Sequence, residues 1–219
     1  MATYKTEEEQ VEDIKRWWEK NGKYIIILGI VAIASTIGYK TWMEFKFTTA
    51  SNASAQYDLM MQELAEGKTD SVVQRSASIV KKTPELAYAV LAAMTAAKVY
   101  VEKGEYDQAA AQLNWALTNA ADEKIKHIAR IRLAKVLNAQ GKFAEALAQA
   151  NHPQQGAFSA EYLVVKGDIF YKKGELASAK TAYQAAIDSG SMNPQLKGFI
   201  QIKLDDIGGS NEVKAKDAG

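Results

Sequence analysis

Cysteine is absent from these 219 residues, and with it go disulfides, thiolate nucleophiles and cysteine-based zinc sites. Proline occurs three times and histidine twice. The two histidines, His127 and His152, lie far apart in sequence and lack the i, i+4 partners of a helical metal site. There is no glycine-rich phosphate loop, no G-x-S-x-G and no basic run beyond residue 50. Acid pairs such as Asp122-Glu123 and Asp205-Asp206 are sequential neighbours on a helix, so they point apart and cannot share a proton. Charge of one sign is also missing: 27 basic against 26 acidic residues leave a net charge of +1. Nothing marks a nucleic-acid footprint. These absences argue against an enzyme, a cofactor, a metal and a small-molecule substrate.

What is present begins with Tyr24–Tyr39, sixteen residues without a charge, bracketed by Lys23 and Lys40. Eight of the sixteen are Ile, Leu or Val. Counted on to Met43 the stretch has twenty residues. A helix of that length spans about 30 Å, the hydrocarbon thickness of a bilayer. Lys40 can snorkel to the headgroups, and Tyr24, Tyr39 and Trp42 stand where an interfacial aromatic belt belongs. A cleavable signal peptide is the rival, since Ala53-Ser54-Ala55 has the look of a cleavage site. Lys40, Glu44 and Lys46 separate it from the apolar run, which favours an uncleaved anchor over residues 24–43.

Orientation follows from the flanks. Lys15, Arg16, Lys20 and Lys23 precede the span, and only Lys40 and Lys46 follow it closely. That asymmetry places the leader, residues 1–23, in the cytoplasm and the remainder beyond the membrane. Within the leader, Val11, Ile14 and Trp18 share one helical face, as an interfacial amphipathic helix would have them. Asn21-Gly22 is expected to break that helix.

After the span, Phe45–Glu66 reads as a continuing helix with Tyr57, Met60, Met61 and Leu64 on an apolar stripe, ended by Gly67. The chain then repeats itself. Gly104-Glu105-Tyr106-Asp107-Gln108-Ala109 recurs as Gly141-Lys142-Phe143-Ala144-Glu145-Ala146 and as Gly174-Glu175-Leu176-Ala177-Ser178-Ala179. The pattern is Gly-x-apolar-x-x-Ala at spacings of 37 and 33 residues, with Gly67–Val72 a degenerate first copy. Glycine permits the tight turn between antiparallel helices, the apolar residue starts the second helix, and the alanine lets the two backbones approach. Such periods belong to helical solenoids. Thr83-Pro84 is expected to open a helix reaching Glu102. Further helices are expected over 106–119, 122–139, 143–150, 157–173, 176–189 and 194–207, with a disordered tail over 208–219.

The repeats resemble the tetratricopeptide template, matched by Tyr100, Ala109, Leu113 and Ala116 in one copy and by Gly167, Phe170, Ala179 and Tyr183 in another. The copy around Gly141 degrades at Asn151-His152-Pro153. The expected architecture is all-α: one N-terminal transmembrane helix, then a tetratricopeptide-like solenoid of three to four helix pairs over 44–207, with a C-terminal capping helix. Its first helices would line a concave face with Leu91, Met94, Lys98 and Val101, then Ile131, Lys135 and Asn138, then Val164, Asp168 and Tyr171. Apolar bodies with occasional Lys, Asn and Tyr suit a partner's segment, although part of this set can equally be core or lie under the final helix.

Taken together the chain resembles the YfgM family of single-pass inner-membrane proteins. The resemblance is clearest at Gln10-Val11-Glu12, Ile14–Trp18 and Asn21-Gly22-Lys23 before the anchor. It continues at Glu66-Gly67-Lys68, Ala109–Leu113, Asp122-Glu123 and Arg132–Val136. It implies a periplasmic tetratricopeptide-like domain and an ancillary role at the SecYEG translocon. It also implies association with the membrane-anchored chaperone PpiD, hand-over of exported proteins to periplasmic chaperones, and a link to envelope stress. It supplies no catalytic residues. Another helical-repeat function, assembly of a different envelope complex, stands as the alternative, since the fold does not choose.

Overall fold

The computed structural model describes the backbone of residues 6–190, 192 and 194–217, and side chains as far as residue 208. Among the described residues the chain is helical throughout, apart from turns and one short 3-10 segment, Gly156–Phe158. It divides into two compact units, one ending at Asn52 and one starting at Ala53.

Helix α1 runs Glu7–Ala65 and contributes to both units. In the first unit its apolar side chains point outward on every side: Leu28 is 70% exposed, Ile33 62% and Tyr39 63%. A helix apolar all round needs a protein core or lipid. No protein buries this one, and its length and composition suffice to cross a membrane. Its few polar side chains are satisfied within the helix. Ser35 donates to the Val31 carbonyl at 2.7 Å, Thr36 to Ala32 at 2.9 Å and Thr41 to Ile37 at 3.0 Å. Hydroxyls bonded back in this way cost little in hydrocarbon. Near the ends, the Lys23 ammonium lies 5.1 Å from the Tyr24 ring centre and that of Lys46 4.2 Å from Trp42.

The expected break at Asn21-Gly22 does not occur, because α1 is continuous through it. The Asn21 amide donates to the Trp17 carbonyl at 3.1 Å instead of competing with the helix backbone. Gly22 provides the hollow against which the Trp18 indole lies, since a Cβ there would stand 3.0 Å from the ring.

In the second unit, the end of α1 meets α2 (Thr69–Lys82) through Met60, Val72 and Ile79, and α3 (Ala87–Glu102) pairs with α4 (Tyr106–Asn119). Helices α5 (Glu123–Ala139) and α6 (Phe143–Ala150), and α7 (Ser159–Lys172) and α8 (Leu176–Asp188), form the next pairs. Helix α9 (Pro194–Asp217) packs on α8. The repeated glycine has one mechanical role. Gly67, Gly104, Gly141 and Gly174 all have φ between 75° and 81°. The next residue's N–H reaches back to a carbonyl near the helix end: Lys68 to Glu63, Glu105 to Tyr100, Lys142 to Leu137 and Glu175 to Phe170, at 2.8–2.9 Å. This is the Schellman turn, made four times from one sequence rule. The alanines five residues on, Ala109, Ala146 and Ala179, are fully buried, as close helix approach requires.

Successive turns are stitched together at matching positions. Lys103, just before its glycine, pairs with Asp70, just after the previous one. Gln140 and Lys142, on either side of Gly141, reach Asp107 at 2.8 and 3.2 Å. The third turn has Ala144 where the acid should be, and Lys172 donates instead to the Asn138 and Ala139 carbonyls at the end of α5, both at 2.9 Å. On the first pair, Arg75 clasps Glu63 through two bonds of 2.7 and 2.9 Å and holds its carboxyl below the usual range.

Several helix ends differ from expectation. Thr83 does not open α3; it closes α2, its hydroxyl donating to the Ile79 carbonyl at 3.0 Å, and Pro84 lies in the turn before α3 begins at Ala87. Asp122 lies one residue outside α5 as its N-cap, accepting from the Lys124 N–H at 2.8 Å. Residues 157–158 belong to the 3-10 turn before α7. The backbone of α9 stays helical to Asp217, beyond the expected end at Ile207, through a stretch containing helix-favouring Glu, Lys and Ala. Residues 218–219 lie outside the described residues. Before that, α9 buries Ile200, Leu204 and Ile207 against Ala179, Tyr183 and Ala186 of α8 and Val164 of α7, covering the apolar face that the last pair would expose.

Candidate partner-binding groove

The first helices of successive pairs present matching positions, counted back from each turn glycine. Ten residues before it stand Met94, Ile131 and Val164; six before, Lys98, Lys135 and Asp168; three before, Val101, Asn138 and Tyr171. The structure treats the three repeats differently.

Between α3 and α5 lies a cavity of about 400 Å³. Met94, Lys98 and Val101 form its α3 wall. The α5 wall is Arg132, Lys135, Val136 and Ala139, and Tyr106 and Leu113 of α4 contribute to its floor. Its lining is mostly apolar, with Lys98, Arg132 and Lys135 and the single acid Glu102 as its charged residues, and it lies in the size range of ligand pockets. Val101 is 38% exposed, well above the usual exposure of a valine in a packed helix pair.

The sequence placed the α5 wall at Ile131, Lys135 and Asn138, and only Lys135 reaches the cavity. Ile131, 8% exposed, belongs to the core formed with α3 and α4. Asn138 is half-buried, its carbonyl accepting Lys172. On α5 the cavity is lined at 132, 135, 136 and 139, and Ile131 turns into the core instead.

On α7 the same positions are engaged by the chain itself. Val164 is buried against α9. Asp168 accepts from the Tyr183 hydroxyl at 2.7 Å and pairs with Lys203 of α9. Burial foremost, and the Asp168 carboxylate after it, push the Tyr183 phenol far up. The Tyr171 hydroxyl donates to Asp206 of α9 at 2.9 Å, which raises its own pKa above the ordinary phenol value. These contacts leave the α3–α5 cavity open, while Tyr171 stays 44% exposed beside Ile202, Lys203 and Asp206.

A second cluster had no legible signal in residue spacing. His127 of α5 and His152, just after α6, meet with ring centres 5.5 Å apart. His127 stacks on Phe158 at 5.0 Å, and its Nδ1 lies 2.9 Å from the Tyr162 hydroxyl. Burial, then the charges of Arg130 and His127, lower the His152 ionisation. The short α6 brings the chain back over α5 and closes this contact. Among the described residues no three His, Asp or Glu side chains are grouped to hold a metal.

Comparison with known proteins places this geometry in a family. The model of a tetratricopeptide repeat-like domain matches residues 15–209. A Haemophilus influenzae protein named ancillary SecYEG translocon subunit is 33% identical over 94% of this chain and 100% of its own length. An Escherichia coli protein of the same name is 30% identical over 94% of this chain and 99% of its own. Among solved structures, BtubC (BKLC) from P. vanneervenii has a TM-score of 0.59 at 16% identity, covering 73% of this chain and 72% of that one. MamA 41-end from Desulfovibrio magneticus RS-1 reaches 0.54 at 16% identity, covering 75% and 92%. At such identity these two show the fold alone.

Proposed function

The chain belongs to the YfgM family of tetratricopeptide repeat-like proteins, whose relatives are named ancillary SecYEG translocon subunits, and on that premise we propose that it is a membrane-tethered scaffold of the translocon. Helix α1 anchors it through residues 24–43, with the leader in the cytoplasm and the solenoid in the periplasm. The basic residues ahead of the span support that orientation. In this reading SecYEG and the chaperone PpiD are its neighbours, and it helps pass exported chains to periplasmic chaperones. It does so as a binding surface and carries no reaction of its own.

The observation that carries the proposal is the open α3–α5 groove, combined with an anchor whose apolar side chains protein does not cover. Docking uses Met94, Lys98, Val101 and Lys135 there. Ile131, Asn138, Val164, Asp168 and Tyr171, which share their repeat positions, shape and close the rest of the concave face. Purification of the tagged full-length chain in mild detergent tests the reading. It should recover SecYEG and PpiD, and repeated recovery of neither overturns it.

A further inference from the structure

The solenoid shows with its own residues how its concave face is closed. Six residues before the last turn glycine stands Asp168, and Lys203 of the neighbouring helix α9 pairs with it. In the two preceding repeats that position holds Lys98 and Lys135, so across the α3–α5 groove like charges face each other. Arg132 adds a third cation to the same rim. Glu102, one turn along from Lys98 and 3.7 Å from its ammonium, lines the same cavity, so the rim sets three cations against one carboxylate, and that exposed contact is worth little. Arg132 and Lys135 are exposed, and neither has a carboxylate partner among the described residues. Where opposite charges close the face, a helix packs; where like charges face each other, a cavity of about 400 Å³ remains.

We propose that the α3–α5 groove docks an acidic amphipathic segment of a partner protein, whose carboxylate bridges Lys135 and Arg132 while its apolar side chains fill the space over Met94, Val101 and Val136. The segment supplies from outside the negative charge that Asp168 supplies from within on the last repeat. The same inversion keeps α9 in register, because Lys203 would meet Lys135 instead of Asp168 if it slipped one repeat. A lipid-like amphiphile with a single anionic headgroup would meet only part of a rim that spreads Lys98, Arg132 and Lys135 over both walls. This proposal rests on the scaffold reading and names the kind of segment its groove selects.

The test uses the full-length chain in lipid nanodiscs and two fluorescent fourteen-residue peptides with one shared Leu/Ala pattern. One carries Glu at the positions between the apolar residues, the other Lys. Fluorescence anisotropy should show the Glu peptide binding about tenfold more tightly, with the preference fading as salt rises. The double variant Arg132→Glu/Lys135→Glu should reverse the preference toward the Lys peptide. Equal binding of both peptides, binding of neither, or an unchanged preference in the variant overturns the proposal. So does binding of dodecanoate in place of the peptides, or groove-dependent self-association. Retained SecYEG recovery alongside any of those results would sink only the charge selection and leave the scaffold reading standing.

Discussion

Gly167 of α7 allows the sharpest quantitative test of the packing. A Cβ built there would lie 2.4 Å from two carbons of the Tyr183 ring and 2.8 Å from a third. The ring is fully buried and its hydroxyl is held by Asp168 at 2.7 Å, so it has no room to withdraw. Overpacking of this kind costs about 1–3 kcal/mol, and a strained Tyr183–Asp168 bond adds about 1 kcal/mol. The better helix propensity of alanine returns about 1 kcal/mol. Gly167→Ala should therefore destabilise the domain by about 1–3 kcal/mol, lowering Tm by roughly 2–10 °C for a unit of this size. Gly198→Ala on α9 is the control, since nothing stands within 4 Å of its would-be Cβ. There the propensity gain is unopposed, and Tm should stay level or rise. Circular dichroism melts of the full-length chain in detergent read both. Adding Tyr183→Ala removes the clash, so the double variant should lose less than the two single losses combined. A Gly167→Ala protein melting at or above the parent temperature would refute the reasoning.

Other consequences can be checked with similar means. Gly104→Ala puts a side chain at φ +76° in a Schellman turn, and should cost about 1–2 kcal/mol, read as a lower melting temperature. His152 ionises below its ordinary 6.5 because burial disfavours its charged form. Its contribution is therefore intact above pH 6.5 and is lost as pH falls below it, as the unfolded chain binds the proton first. Melting between pH 7 and pH 5 should drop more steeply in the parent than in His152→Leu, and identical slopes would dismiss the His contact. Because the chain has no cysteine, one introduced at exposed Lys142 reports topology. A membrane-impermeant maleimide should label it in cells with a permeabilised outer membrane and an intact inner one. Labelling only after lysis would place the solenoid in the cytoplasm.

The sequence exposed those parts of the fold that depend on local chemistry. A Schellman turn needs one glycine at positive φ and an apolar residue soon after, and both recur visibly at Gly104, Gly141 and Gly174. The apolar stretch was legible because Tyr24–Tyr39 carries no charge, and the structure leaves its apolar side chains exposed. Features set by packing were harder to read. Asn21-Gly22 resembles a helix end, yet Trp18 uses the glycine as a seat and the helix continues. Thr83-Pro84 resembles a helix start, yet Thr83 spends its hydroxyl on the preceding helix. On α5 the cavity is lined at 132, 135, 136 and 139, where the repeat spacing pointed to 131, 135 and 138. Only packing against α3 and α4 reveals that Ile131 points into the core and Arg132 toward the opening. The contact of His127 with His152 had no period to betray it, though Phe158 and Tyr162, one helical turn apart, form the aromatic wall that receives them.

The most direct measurement places a photo-reactive residue at Val101, inside the groove, and another at exposed Asn114 on the outer helix α4, in the full-length chain in living cells. The account predicts adducts with a translocon component or its companion chaperone from position 101, and none from position 114. Equal adducts from both positions, or none from position 101 while the chain still purifies with SecYEG, would contradict the claim that this groove is where the scaffold meets its partner.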